Sequence, residues 1–265
     1  MASSAPIGVF DSGVGGLTVA REILRQAPNE TIIYFGDTAR VPYGSKSKET
    51  IITYSRQIIK FLMTKKVKAI VIACNTASAL ALEVVAKEVP IPVIGVVGPG
   101  AKVAAETSKN GNIGIIGTEG TINSGIYNQL LCETNPDVKV YGKACPLFVP
   151  LVEEGWINDP ITEEIAKRYM AELKDSDIDT LVLGCTHYPL IRHVIASVVG
   201  DKVKLVNPAY ETARSLKKVL ESKGLESNTP AGEHQFFVSD GAEKFKKFAN
   251  TILPCEVVET KDVSV

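Results

Sequence analysis

The chain has no C-x-x-C pair among its five cysteines, which stand at 74, 132, 145, 185 and 255. That absence removes a zinc ribbon and a dithiol redox motif. Five is odd and no two are close, so no disulfide framework is expected. Three histidines are present, none at metal-ligand spacing, and no metal centre is expected. Charge of one sign is missing as well. The 29 basic and 30 acidic residues leave a net charge of −1, which offers no global field to nucleic acid or to an anionic membrane. The pairs Lys65-Lys66 and Lys246-Lys247 read as solvated helix faces. No apolar run reaches the ~20 residues of a membrane span. The start, Met1-Ala2-Ser3-Ser4-Ala5-Pro6, has no basic n-region and no apolar core. A secretory leader is therefore not expected, and the cytoplasm is the expected compartment.

What is present is an alternation of two patterns. Short apolar runs at 7–10, 31–35, 69–73, 93–97, 113–116, 138–141, 181–183, 203–206, 235–238 and 257–259 read as strands. Helix-period segments separate them at 17–26, 49–64, 77–87, 101–108, 122–132, 161–173, 190–199, 212–222 and 244–250. This is the pattern of an α/β protein with doubly wound, mostly parallel sheets. The 265 residues suffice for two domains. A weak repeat divides the chain accordingly. Ile7-Gly8-Val9-Phe10-Asp11-Ser12 aligns with Ile113-Gly114-Ile115-Ile116-Gly117-Thr118, and the strands ending at Cys74 and Cys185 align in the same order. Two similar, pseudo-twofold-related domains with a site in the cleft between them are expected. The turn-rich 95–100 segment reads as the boundary and 206–209 as a second crossing. The first domain would be 1–97 plus 208–265, and the second 98–207.

The cysteine strands carry the strongest signal. Ala69-Ile70-Val71-Ile72-Ala73-Cys74-Asn75-Thr76 and Thr180-Leu181-Val182-Leu183-Gly184-Cys185-Thr186-His187 each run an apolar strand into a small residue, a cysteine and polar residues. Ligands of open α/β sheets sit at that carboxyl edge. A lone cysteine is most often core, but two in matching positions point to paired thiols facing one ligand. A helix start after each would lower the thiol pKa. Cys132, Cys145 and Cys255 lack this context and read as structural. His187 beside Cys185 reads as a general acid/base or orienting group. The turn Asp11-Ser12-Gly13-Val14-Gly15-Gly16 does not fit G-x-G-x-x-G, and no G-K-[ST] follows it. It places Asp11 at the sheet edge, either to take a thiol proton or hold an ammonium, or simply to cap a helix. Glu153 and Glu154, in a segment read as preceding a helix, are either solvated or part of the site. Pro42-Tyr43-Gly44 reads as a turn lining the cleft. Thr118 and Thr121 read as a helix start able to hold carboxylates.

Together, Asp11-Ser12-Gly13-Val14-Gly15-Gly16, Pro42-Tyr43-Gly44, Ala73-Cys74-Asn75-Thr76-Ala77, Pro150-Leu151-Val152-Glu153-Glu154-Gly155 and Gly184-Cys185-Thr186-His187-Tyr188-Pro189 resemble the glutamate racemases over nearly the whole chain. The resemblance implies interconversion of L- and D-glutamate for peptidoglycan, without pyridoxal phosphate or metal, in a cytoplasmic homodimer. It implies that Cys74 takes the α-proton of the D-enantiomer and Cys185 that of the L-enantiomer. Asp11 would help Cys74, while Glu153 and His187 would help Cys185. Ser12, Tyr43, Gly44, Asn75, Thr76, Thr118, Thr121 and Thr186 match substrate-binding positions. Asn207-Pro208 stands where the family pattern often has an acidic residue. The motifs hold no arginine, so carboxylates would rest on helix N-termini, hydroxyls and Asn75.

Three rivals remain at this point. An aspartate or hydantoin racemase would share the fold, although aspartate racemases usually carry an acidic residue where His187 stands. Cys185 and His187 could instead form a nucleophile–base pair for acyl transfer, although residues so near in sequence seldom adopt triad geometry. A two-lobed module binding an amino acid without chemistry is the third.

Overall fold

The computed structural model describes residues 4–265. The reading of the N-terminus as lacking a leader begins on residues 1–3, which lie outside the described residues. Among the described residues, ten strands form two sheets: β1 (Ile7–Asp11), β2 (Ile32–Gly36), β3 (Ala69–Ile72), β4 (Val93–Gly95), β5 (Asn112–Gly117), β6 (Lys139–Ala144), β7 (Thr180–Gly184), β8 (Lys204–Val206), β9 (Gln235–Val238) and β10 (Lys261–Asp262). The first sheet runs β10-β9-β2-β1-β3-β4 and the second β6-β5-β7-β8. Neighbouring strands pair in parallel in both. The block β2-β1-β3-β4 of the first sheet and the whole second sheet have the same order, one strand for one.

The burial pattern explains why the strands read as continuous apolar runs. In β3, Ala69 and Val71 face one core while Ile70 and Ile72 face another, and all four are buried. In β7, Leu181 and Leu183 enter one core and Val182 the opposite one. A sheet covered by helices on both faces must be apolar at every position, whereas a half-exposed sheet alternates. Each fully buried Ile, Leu or Phe contributes roughly 1.5–3 kcal/mol. Helices Leu17–Gln26, Pro208–Lys223 and Ala242–Ile252 cover one face of the first sheet, and Lys48–Thr64 the other. Around the second sheet, Val97–Thr107 and Ile126–Thr134 lie opposite Phe148–Glu153, Pro160–Ala171 and Arg192–Val199. Among the described residues no helix is long and apolar enough to cross a membrane.

Several sequence expectations are corrected. Residues 257–259 form no strand, because the side-chain amide of Asn250 bonds both the N–H and the C=O of Val257, taking the groups a ladder would use. The terminal strand is β10 instead. The helix expected over 122–132 is two, Glu119–Asn123 and Ile126–Thr134, divided at Gly125 with φ +68°. The helix expected over 77–87 starts at Asn75 and breaks at Ala81 into Asn75–Leu80 and Leu82–Val85. The turn-rich 95–100 segment is largely helical, since Val97–Thr107 begins there and Pro99 falls in its first turn, where a missing N–H costs nothing. The Pro150–Glu153 segment lies inside the helix Phe148–Glu153, with Pro150 again in the first turn.

Candidate active site

Parallel strands put all their carboxyl ends on one edge, and here the edges of the two sheets face each other. Cys74 follows β3 and Cys185 follows β7, the corresponding strands of the two sheets. Both thiols line one cavity of about 400 Å³, together with Ser12, Tyr43, Gly44, Asn75, Thr76, Thr118, Glu153, Thr186 and His187. That volume suits a small molecule. Both cysteines are nearly inaccessible, at 5% and 6% exposure, so their environment is set by protein groups rather than bulk water.

The two thiols keep different company. Cys74 is the N-cap of the helix Asn75–Leu80, where its sulfur accepts from the Ala77 N–H at 3.5 Å and lies 3.8 Å from the Ser12 hydroxyl. A lowered thiol pKa was expected from that helix start. The outcome is the reverse: burial, then the Asp11 charge, push the Cys74 thiol up to about 12, outweighing the Ala77 and Ser12 contacts. Asp11 ends β1, fully buried, and accepts from the Gly13 N–H at 3.0 Å. Burial lifts its carboxyl above the ordinary range, against the pull of His187 and of the Gly13 and Gly16 N–H groups. It caps no helix, since the helix Leu17–Gln26 begins at Gly16 without a side-chain cap.

Cys185 meets a base instead. Its sulfur lies 3.8 Å from His187 Nδ1, and His187 Nε2 lies 2.9 Å from Glu153 Oε1. Burial opposes charging this imidazole, but the hydrogen bonds to Cys185 and Glu153 outweigh it and raise the pKa to about 10. The His187 hydrogen bond in turn holds the Glu153 carboxyl below its usual value. Residues two apart do therefore line up as Cys185–His187–Glu153, contrary to expectation. The 3₁₀ turn Tyr188–Ile191 right after His187, with the Tyr188 N–H on the Cys185 carbonyl, folds the chain back to allow it.

The glycine-rich turn serves close approach rather than phosphate. A Cβ on Gly15 would stand 2.3 Å from Thr186 Oγ1 and 2.5 Å from His187 Nδ1. Only glycine lets this turn of the first half press against the second. Other contacts cross the same seam. Thr18 donates to the Thr186 carbonyl at 3.0 Å, and Thr76 Oγ1 lies 2.8 Å from Thr118 Oγ1. Thr121, matched to a substrate position, does not line the cavity but stands behind Thr76 and Thr118, within 3.4 and 3.0 Å. Asp11 likewise sits behind the wall that Ser12 and Gly13 form. Glu154 is exposed.

Sequence reasoning passed over two residues. Asp37, buried just after β2, accepts from the Tyr43 hydroxyl, from Arg40 Nε and from Ser239 Oγ, and so fixes the Pro42-Tyr43-Gly44 wall. Its place at a strand's carboxyl end was a usable signal. Tyr127, whose hydroxyl donates to Asn75 Oδ1 at 2.9 Å, reaches across from the second half. No sequence pattern announces that contact.

Two parallel sheets that each carry a cysteine at the matching strand end, facing one small cavity, have the architecture of an α/β enzyme acting on a small molecule. The family model for Asp/Glu/Hydantoin racemase matches residues 7–216. A glutamate racemase of Geobacter metallireducens is 48% identical over 260 residues, covering 98% of this chain and 96% of its own length. The crystal structure of a glutamate racemase isoform from Bacillus anthracis superimposes with a TM-score of 0.96 at 40% identity, over 99% of this chain and 98% of that one. That of the Francisella tularensis glutamate racemase in complex with D-glutamate gives 0.93 at 41%, with the same coverage. The chain belongs to the Asp/Glu/hydantoin racemase family, within its glutamate racemase branch.

Proposed function

We propose that the chain interconverts L- and D-glutamate by proton transfer between two cysteines. The observation that carries this reading is the placement of Cys74 and Cys185 at matching strand ends, facing one cavity, each beside its own titratable partner. Inverting one carbon needs a base on one face and an acid on the other. Cys185 as thiolate takes the α-proton of L-glutamate while Cys74 as thiol delivers a proton to the opposite face, and the reverse direction exchanges the roles. One C–H bond breaks, one forms, and one proton has moved across the site.

Asp11 acts on Cys74. A thiol pushed up to about 12 is a stronger base once ionised, which narrows the gap to the weakly acidic α-carbon. The neighbouring carboxylate also discourages both thiols from ionising together. Glu153 and His187 act on Cys185, the carboxylate holding an imidazolium that can carry the proton. Ser12, Asn75, Thr76, Thr118 and Thr186, with the Tyr43-Gly44 wall, hold the substrate's carboxylates and ammonium, with Thr121 supporting Thr76 and Thr118 from behind. The chemistry runs on side chains alone, with no cofactor. Residues 1–97 with 208–265 and residues 98–207 act as two domains that close over the substrate. The product serves peptidoglycan synthesis in the cytoplasm, and the chain works as a homodimer.

The test is proton NMR of the protein with L-glutamate in D₂O, with L-aspartate in parallel and Cys74→Ala and Cys185→Ala as controls. Loss of the glutamate α-proton signal with decay of optical rotation, abolished in both variants, supports the reading. Exchange with aspartate alone moves the substrate. Turnover of an activated ester that needs Cys185 but not Cys74 would replace the scheme with acyl transfer.

A further inference from the structure

The geometry points to Tyr127 as a positioning residue that sets which end of the Asn75 amide faces the substrate. This rests on the proposal above that Asn75 binds a substrate carboxylate. A primary amide is ambivalent, because its oxygen accepts and its nitrogen donates. At a carboxylate site only the nitrogen helps, and the oxygen would repel. Asn75 is 4% exposed and lines the cavity. It begins the helix Asn75–Leu80. Its Oδ1 is taken by the Tyr127 hydroxyl, at 2.9 Å. Among the described residues no protein group bonds its Nδ2, which leaves the donor end for the ligand.

Tyr127 is suited to that task. It is 3% exposed, in the first turn of the helix Ile126–Thr134, within the core of the second half. Burial holds its phenol far from ionisation, so it keeps its proton. The buried phenol donates to the amide oxygen, and rotating the amide would leave that buried O–H donor without its acceptor. The bond also crosses the seam, because Asn75 belongs to the first sheet's half and Tyr127 to the second's. The donor end is thus set only when the two halves are together, so that carboxylate recognition is complete only in the closed enzyme.

The experiment is a double-mutant cycle on kcat/KM for glutamate with Tyr127→Phe and Asn75→Ala in the full chain. Tyr127→Phe removes one oxygen and is expected to lower kcat/KM about fivefold to tenfold. In the Asn75→Ala background it is expected to change kcat/KM by less than about twofold. A loss of equal size in both backgrounds would make Tyr127 merely structural, and no loss in the native background would also overturn the inference. If Asn75→Ala itself loses nothing, the carboxylate role of Asn75 is what failed, and the inference falls with it. Asn75→Asp gives a reading that does not depend on the Tyr127 variant folding. It leaves one oxygen on Tyr127 and turns the other toward the substrate, so its activity should fall at least about tenfold below that of Asn75→Ala. Activity equal to or above Asn75→Ala would mean that the nitrogen does not face the substrate.

Discussion

Replacing Asp11 by Asn should make Cys74 more reactive and the enzyme less active. The thiol is pushed up to about 12, burial being the larger cause and the Asp11 charge the next. At pH 8 its thiolate fraction is then about 10⁻⁴. Asn is nearly isosteric, and its oxygen can still accept from the Gly13 N–H, so burial stays while the charge goes. A like charge near a buried thiol is worth about one pKa unit or more. The thiolate fraction, and with it the alkylation rate, should rise about tenfold. The assay is iodoacetamide labelling between pH 7 and 9.5, with the Cys74 peptide followed by mass spectrometry. Cys132 and Cys255, which do not line the cavity, serve as references. In the native protein the Cys74 rate should climb about tenfold per pH unit over that range without levelling. Racemisation should meanwhile drop by about 10² or more, the usual contribution of a positioned acid or base. The opposite signs are what matter. If labelling and racemisation fell together, Asp11 would be activating the thiol rather than opposing its ionisation. Unchanged labelling would show that Asp11 carries no charge at that pH.

Three further perturbations test the seam, the pH response and the core. A Cβ on Gly44 would stand 2.7 Å from Thr118 Cβ across the cavity mouth. Gly44→Ala should therefore raise KM about tenfold while the melting temperature moves by less than ~3 °C, and an unchanged KM would show that this approach is not needed for binding. His187, raised to about 10 from 6.5, favours its charged form in the folded chain. Its contribution is complete below about pH 6.5 and fades as pH rises towards 10, so the urea-midpoint difference between native protein and His187→Asn should shrink over that window, and growth would refute it. Lys68 is fully buried, with its ammonium 2.6 Å from the buried Glu30 carboxylate. Lys68→Ala should cost about 3–5 kcal/mol in urea unfolding, and a loss below ~1 kcal/mol would show that the pair is solvated.

Legibility in the sequence followed the range of the forces. Buried parallel strands are statements of four or five residues, and β1, β3 and β7 were readable because 7–10, 69–72 and 181–183 carry no polar side chain. The two thiols and His187 were readable for the same local reason, since a strand's carboxyl end fixes where the next residues lie. Helix breaks were less readable, because Gly125 and Ala81 interrupt segments whose composition still looks helical. Val257 was misread because its strand-like run is tied up by Asn250, a side chain seven positions away. Asp37 and Tyr127 escaped because their roles lie in a single tertiary contact. The thiol pKa of Cys74 was misjudged on the same ground: the helix start is local and was visible, whereas burial and Asp11 act through space and win.

The asymmetry of the two thiols meets a constraint that the chemistry imposes. L- and D-glutamate are mirror images, so their equilibrium constant is one, and no residue can favour one product. Yet Cys74 has a carboxylate behind it and Cys185 an imidazole backed by Glu153. The resolution is that kcat/KM must be equal in the two directions, in the native enzyme and in every variant, while kcat and KM separately need not be. His187→Asn removes a partner of Cys185 alone. It should lower kcat/KM by one common factor in both directions, about 10²-fold or more if the imidazole carries the proton. Under the proposed two-cysteine scheme, the α-deuterium isotope effect should then become larger with L-glutamate than with D-glutamate, because removal of the L-proton, which that scheme gives to Cys185, becomes the slower step. Equal isotope effects in both directions, with a small common loss, would reduce His187 to a structural support. A kcat/KM that differed between the directions would point to the assay, since no protein can produce it.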